Sequence, residues 1–156
     1  KNFILKPNSK QMVRVGFTQS VESMNLSQEE TWRIIFTELP QVTNDESKIA
    51  LLLSLNVPFF VGKQEPAYLK FIAKKQNGRT IINVENLAKS HIQIQKLFVM
   101  DKNKKVVAES ADMKYLLALG KNHYDLGSAP ILGANNYKVV VETDKGDTPL
   151  EFNLVE

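Results

Sequence analysis

Short runs of alternating apolar and polar residues, each closed by Asn, Asp, Gly, Lys or Pro, recur along the whole chain, while a sustained 3.6-residue periodicity is scarce. The pattern predicts an all-β protein. In the first half it predicts the end of a strand at 3–6, a strand at 11–18, a strand at 31–39 and a long strand at 49–61. Ser27-Gln28-Glu29-Glu30 has the spacing of a capping box, yet only one helical turn fits before Trp32 begins to alternate. Within 31–39, Trp32, Ile34 and Phe36 fall on one face, and an apolar face of that kind calls for a covering layer.

A polar stretch, Gly62-Lys63-Gln64-Glu65-Pro66, separates the first half from the second and marks a domain boundary with a linker short enough to fix an angle. Beyond it, strands are predicted at 68–75, 80–86, 91–100, 105–108, 114–118, 137–143 and 150–155. The turns between them carry Asn77-Gly78, Asp101-Lys102-Asn103 and Asp144-Lys145-Gly146-Asp147, chemistry that suits hairpin connections. Seven short strands in about ninety residues is the count of an immunoglobulin-like sandwich. The expected organisation is therefore two immunoglobulin-like β-sandwich domains, 1–63 and 67–156. The first, with about four strands, is too small to close two packed sheets, and its opening strands are expected to precede Lys1.

The most informative run is Ile49-Ala50-Leu51-Leu52-Leu53-Ser54-Leu55-Asn56-Val57-Pro58-Phe59-Phe60-Val61. In a strand, Ile49, Leu51, Leu53, Leu55 and Val57 form an aliphatic comb on one face, with a mixed face opposite. Two readings stay open. The run is either a central core strand buried on both faces, or a strand that packs one face at home and offers the comb to a partner. Pro58 bears on the choice, since proline removes a ladder donor and belongs at edges and bulges.

Composition narrows the function classes. Hydrophobic residues make up 43% and charged residues 24% of the 156, the balance of a chain that buries a core. The net charge is +3, but the basic residues are spread out and the run Lys102, Lys104, Lys105 sits beside turn residues, so a nucleic-acid surface is not expected. No apolar run reaches the roughly 20 residues of a membrane span, and no membrane insertion is expected. With no cysteine, disulfides, thiolate zinc sites and cysteine nucleophiles are excluded.

Candidate catalytic chemistry is thin. His91 and His123, the two histidines, stand far apart; Glu29-Glu30 and Asp144/Asp147 read as turn carboxylates; no phosphate loop or nucleophile elbow occurs. No catalytic residue, metal site or cofactor is expected.

Several segments, taken in order, resemble a known family. These are Phe3-Ile4-Leu5-Lys6-Pro7, Gln11-Met12-Val13-Arg14-Val15, Glu30-Thr31-Trp32-Arg33-Ile34-Ile35-Phe36-Thr37-Glu38-Leu39-Pro40 and Asn56-Val57-Pro58-Phe59-Phe60-Val61. In the second half they are Asn83-Val84-Glu85-Asn86, His91-Ile92-Gln93-Ile94 and Tyr115-Leu116-Leu117-Ala118-Leu119-Gly120. Their order and spacing resemble the PapD-like periplasmic pilus (fimbrial) assembly chaperones, nearest the archaic branch. The resemblance implies an L-shaped pair of immunoglobulin-like domains in the periplasm, whose first domain completes a pilin subunit by donor-strand complementation and passes it to an outer-membrane usher. On that reading Ile49, Leu51, Leu53, Leu55 and Val57 are the partner-binding residues. The free form could also self-associate through the donor strand. Where many members carry a lysine in the donor strand, this chain has Val57-Pro58, and the family's cleft arginine would fall before Lys1. Arg33, off-register from Trp32, Ile34 and Phe36, is then the candidate for holding a partner's carboxylate, against the alternative of a solvated arginine. The competing function is a structural tandem immunoglobulin-like surface or adhesive module. A sugar-binding sandwich is disfavoured by the sparse aromatics.

Overall fold

The structure is a computed structural model describing residues 2–40, 49, 51–131 and 133–156. It is all-β, with ten strands and two short 3-10 turns among those residues. Two strands form a separate hairpin: β1 (Glu30–Thr37) pairs antiparallel with β2 (Ser54–Val61). The other eight make one continuous ladder in a sandwich- or barrel-like arrangement. They are β3 (Leu69–Gln76), β4 (Arg79–Asn86), β5 (Ile92–Met100), β6 (Val106–Ser110), β7 (Lys114–Leu116), β8 (Lys121–Asp125), β9 (Lys138–Thr143) and β10 (Gly146–Val155). The order is β6-β5-β9-β10-β3-β4-β8, with β7 also on β5. Strand β10 links the layers, pairing antiparallel with β9 along most of its length and then parallel with β3 through Leu154 and Val155.

The reason these eight segments are strands is visible in their burial. In β4, Thr80, Ile82, Val84 and Asn86 point inward while their neighbours do not, and β9 repeats this with Val139, Val141 and Thr143. In β5 the inward residues are Ile92 and Ile94, then Leu97 and Val99, a change of phase absorbed by a register shift between Ile94 and Lys96. Phe71, Ile82, Val84 and Tyr124 from β3, β4 and β8 join Ile94, Leu97, Val99, Val139 and Val141 from β5 and β9 in one buried cluster. The buried members of that cluster run from Leu69 to Leu154. Asn77 and Gly78, at φ 50° and 76°, make the two-residue β3–β4 turn, the left-handed pair that a type I′ turn needs. At the β5–β6 turn Asp101 Oδ1 accepts the N–H groups of Asn103 and Lys105 at 2.8 and 2.9 Å, so the lysine run is a solvated hairpin end.

Three expectations need correcting. Residues 3–6 and 11–18 alternate suitably but form no strand; they are almost wholly exposed, and no described segment takes up their backbone groups in a ladder. A strand exists only where a neighbour pairs with it, which alternation alone cannot supply. The strand expected at 49–61 begins at Ser54; Ile49 and Leu51–Leu53 precede it, and Ala50 lies outside the described residues. In the second half an additional strand, β8, joins the seven that were expected. Among the described residues no helix is long and apolar enough to cross a membrane.

Candidate strand-donating surface and its joint

The β1–β2 register decides which side chains share a face. Trp32 faces Phe59, Ile34 faces Val57 and Phe36 faces Leu55. Just beyond the ladder, the Glu38 N–H donates to the Leu53 carbonyl at 2.8 Å and the Leu53 N–H donates to Glu38 Oε2 at 3.0 Å. Leu55 and Val57 of the comb, and Leu53 just beyond the ladder in the same phase, therefore lie on one apolar face with Trp32, Ile34 and Phe36, and the opposite face carries Thr31, Arg33, Ile35 and Thr37 with Ser54, Asn56, Pro58 and Phe60; Ile49 and Leu51 precede the ladder. On the face opposite the comb Ser54 and Asn56 are exposed while Phe60 is partly buried and stacks on His91, so that face packs at home only at its Val61 end.

Cover on the apolar face is uneven. Near Val61 the Phe17 ring lies 5.6 Å edge-on from Trp32 and 6.0 Å stacked from Phe59, and a cleft of about 510 Å³ runs between residues 16–21 and 59–62. Toward the other end the cover stops. Val57 is 43% exposed, Leu55 49%, Leu53 59%, Leu51 94% and Ile49 97%. Large aliphatic side chains held in sequence order with that much open surface are the feature of this molecule that most needs explanation.

The backbone of β2 is as informative as its side chains. Continuing the alternation from the Glu38–Leu53 bond, the hydrogen-bonded pairs are Phe36–Leu55, Ile34–Val57 and Trp32–Phe59. The backbone groups of Ser54 and Asn56 therefore point to the outer edge of β2, which pairs with nothing among the described residues. Pro58, opposite Arg33, falls in the same phase, so its missing N–H is missing from that outer edge and the hairpin loses no bond. A strand added to this edge would find donors at Ser54 and Asn56 and none at Pro58.

Arg33 is exposed and its guanidinium contacts Asn56 Oδ1 at 3.5 Å. It lies on the face opposite the comb, the same face that carries Phe60. The structure thus places Arg33 on one side of the hairpin and Leu55 and Val57 on the other.

Phe60 leads to the joint between the hairpin and the eight-stranded unit, which residue patterns did not reveal. Glu29, expected to be a turn carboxylate, has a fully buried side chain. Its Oε1 accepts the His91 backbone N–H at 2.8 Å and meets His91 Nδ1 at 2.7 Å, Gln64 Nε2 donates to Oε2, and the Glu29 N–H donates to the Lys89 carbonyl at 2.8 Å. The His91 ring stacks on Phe60 with centroids 3.5 Å apart, and its Nε2 stands 3.6 Å from Asp144 Oδ2. Gly62 is held at φ +143° with its α-carbon against Glu29; a Cβ there would sit 2.8 Å from the Glu29 Cα, so the close approach requires glycine. The linker is tied down further where the Glu65 N–H donates to Ser90 Oγ at 2.9 Å and Glu65 Oε2 accepts the Lys89 N–H at 2.6 Å.

Residues 87–91 on the other side of the joint are shaped by Asn86, which is buried. Its Nδ2 donates to the Ser90 and Leu117 carbonyls at 2.8 and 2.9 Å and its Oδ1 accepts the Ala88 N–H at 3.1 Å. One signal for this network was present in the sequence, an Asn ending an alternating strand where an apolar residue would continue the inward series. Comparison with protein-family models and with curated proteins returns no match for this chain.

Proposed function

We propose that the protein is a periplasmic chaperone of the PapD-like kind, which holds a pilin subunit by lending it β2 and releases it at an outer-membrane usher. The observation that carries the reading is the exposed series Ile49, Leu51, Leu53, Leu55 and Val57 beside a strand edge that is unpaired among the described residues. An incoming strand would run along 49–57 and bond Ser54 and Asn56, and Pro58 would end its ladder. Burying the aliphatic series at about 25 cal/mol per Å² supplies several kcal/mol before ordering costs, enough to retain a subunit that lacks a strand. Arg33, on the Phe60 side, is the group offered to a carboxylate of the same partner. The bare edge is an association hazard in the free protein, and pairing between copies through β2 is the form that hazard takes. The immunoglobulin-like character of the eight-stranded unit belongs to the same proposal.

Leu53→Lys tests it. The ammonium would face Glu38 at the surface, so the fold keeps its stability, while a charge enters whatever groove receives the series. Co-expression with candidate pilin subunits is expected to give a 1:1 complex with the parent and none with the variant. Equal capture by both, or no capture by the parent, removes the proposal.

A further inference from the structure

We propose that a cleft at the end of the eight-stranded unit away from the joint binds a sugar acid carrying a single negative charge. The site stands apart from the exposed strand and from whatever that strand holds. Strand β10 creates the cleft by changing partners: it follows β9 as far as Asn153, opposite Lys138, then pairs with β3 through Leu154 and Val155. The 3-10 turn Ala134–Asn136, which leads into β9, and the β5–β6 turn complete the walls. The space between them is about 510 Å³. That is within the range of small-molecule sites, about 300–1,000 Å³.

The charge of the ligand follows from which groups are already engaged. Asp101 accepts the Asn103 and Lys105 N–H groups, and Glu151 accepts from the Lys138 ammonium. The hydrogen bond from Lys138 holds the Glu151 carboxyl below the ordinary carboxylate range, so both acidic groups are ionised at neutral pH. Lys102 and Lys104 line the same cleft and form no ion pair among the described residues. Three ammoniums against two carboxylates leave the lining with one positive charge. A ligand with one negative charge balances it, whereas a second negative charge would meet Asp101 and Glu151 at close range. Glu156, just outside the lining, is engaged by the Ala134 N–H at 3.1 Å.

The neutral part of the ligand follows from the amides. Asn135, Asn136 and Asn153 all line the cleft, and among the described residues their side-chain amides have no hydrogen-bond partner. Each amide offers donors and an acceptor together, and hydroxyl groups are their match because they too do both. An amino acid would carry an ammonium toward Lys102 and Lys104 and is disfavoured. A carboxylate on a hydroxyl-bearing ring satisfies both sets of groups. These contacts are open to water, so the dissociation constant expected is on the order of 1 mM.

Proton–nitrogen correlation NMR of the full chain, titrated separately with sodium glucuronate, glucose, acetate and inorganic phosphate, tests the site. Glucuronate is expected to move the side-chain amide signals of Asn135, Asn136 and Asn153 along one saturable curve. Glucose lacks the charge, acetate lacks the hydroxyls and phosphate carries too much charge, so each should bind at least about tenfold more weakly. Lys102→Gln combined with Lys104→Asn should weaken glucuronate binding by at least about tenfold. Both positions are exposed, and Lys104 sits at φ 62°, a conformation asparagine adopts readily, so this variant keeps its fold. Lys121→Gln, at the Glu85 pair on β8, should bind as the parent does. Shifts that stay linear up to about 50 mM glucuronate, far above the expected constant, overturn the proposal. So do equal binding of glucose, acetate or phosphate, undiminished binding by the double variant, or its loss in Lys121→Gln.

Discussion

The two parts of this molecule place similar side chains in opposite circumstances. In the eight-stranded unit Ile82, Ile94, Leu97 and Leu154 are fully enclosed, and each strand's inward series meets a series from another strand. In the hairpin and the residues leading into β2, Leu51, Leu53, Leu55 and Ile35 are about half exposed or more, and among the described residues the ladder ends after two strands. A two-stranded ribbon is at best marginally stable alone in water. The hairpin is held where it meets the larger unit, through Glu29, Phe60, Val61 and Gly62, and its cover thins with distance from that joint. Apolar residues therefore mean different things in the two regions, stability in one and an available surface in the other.

The largest effect should come from making one kind of truncation in both. Phe71→Ala removes a fully buried ring packed 5.4 Å from Phe152 and should cost about 3–5 kcal/mol by urea unfolding. Leu51→Ala removes a side chain that touches almost nothing and should change stability by less than about 0.5 kcal/mol. Comparable losses in the two variants would mean that the 49–57 series packs against something the hairpin face does not reveal.

A smaller effect is expected at Asn86. Asn86→Ala strips the Ala88 N–H of its acceptor and the Ser90 and Leu117 carbonyls of their donor, in a buried site, at a cost of about 1–3 kcal/mol. Because residues 87–91 present Lys89, Ser90 and His91 to the hairpin, hydrogen exchange at the Glu29 and His91 amides should quicken more than exchange at Val139 or Val141. Uniform quickening would show that Asn86 serves the core generally and not the joint.

The same contrast explains what could be read from residue order. The eight-stranded unit was legible because its strands announce themselves locally: alternation in 80–86 and 137–143, and turn chemistry at Asn77-Gly78 and Asp144-Lys145. β8 was hidden because Lys121-Asn122-His123-Tyr124-Asp125 turns a single large side chain, Tyr124, inward and so shows no apolar series. In the hairpin the aliphatic series was plain, but its face was not, since face-sharing between β1 and β2 is a property of register across a connection of more than a dozen residues. Strands at 3–6 and 11–18 were expected from alternation, and pairing is a non-local fact that alternation does not contain. The joint was least legible. Glu29, Gln64, His91 and Asp144 are scattered polar residues with no shared spacing, brought together only by the packing of the two parts.

The smallest effect lies at the edge of the well-packed region and asks whether charge contributes there as burial does. Arg79 Nε donates to both Asp125 oxygens, at 3.0 and 2.8 Å, and the Gly127 N–H donates to Oδ1 at 2.9 Å. The Arg79 hydrogen bond first, and the Gly127 N–H after it, hold the Asp125 carboxyl below the usual carboxylate range. A carboxylate favoured in the folded state stabilises the protein at pH values above its unfolded pKa, and that contribution is lost as pH falls through the lower folded value. The loss therefore begins below about pH 4, the ordinary value for aspartate. Both partners are well exposed, so water and salt screen the pair and its worth is small. Arg79→Ala should raise the Asp125 pKa toward the ordinary value without fully restoring it, because the Gly127 contact remains; carboxyl NMR titration reads this directly. Melting of parent and variant should nearly coincide at neutral pH, and the slight difference should vanish in acid. A melting loss at neutral pH as large as that of Asn86→Ala would show that the edge at β8 depends on its ion pair and not on the enclosed Tyr124 and Ile82 beneath it.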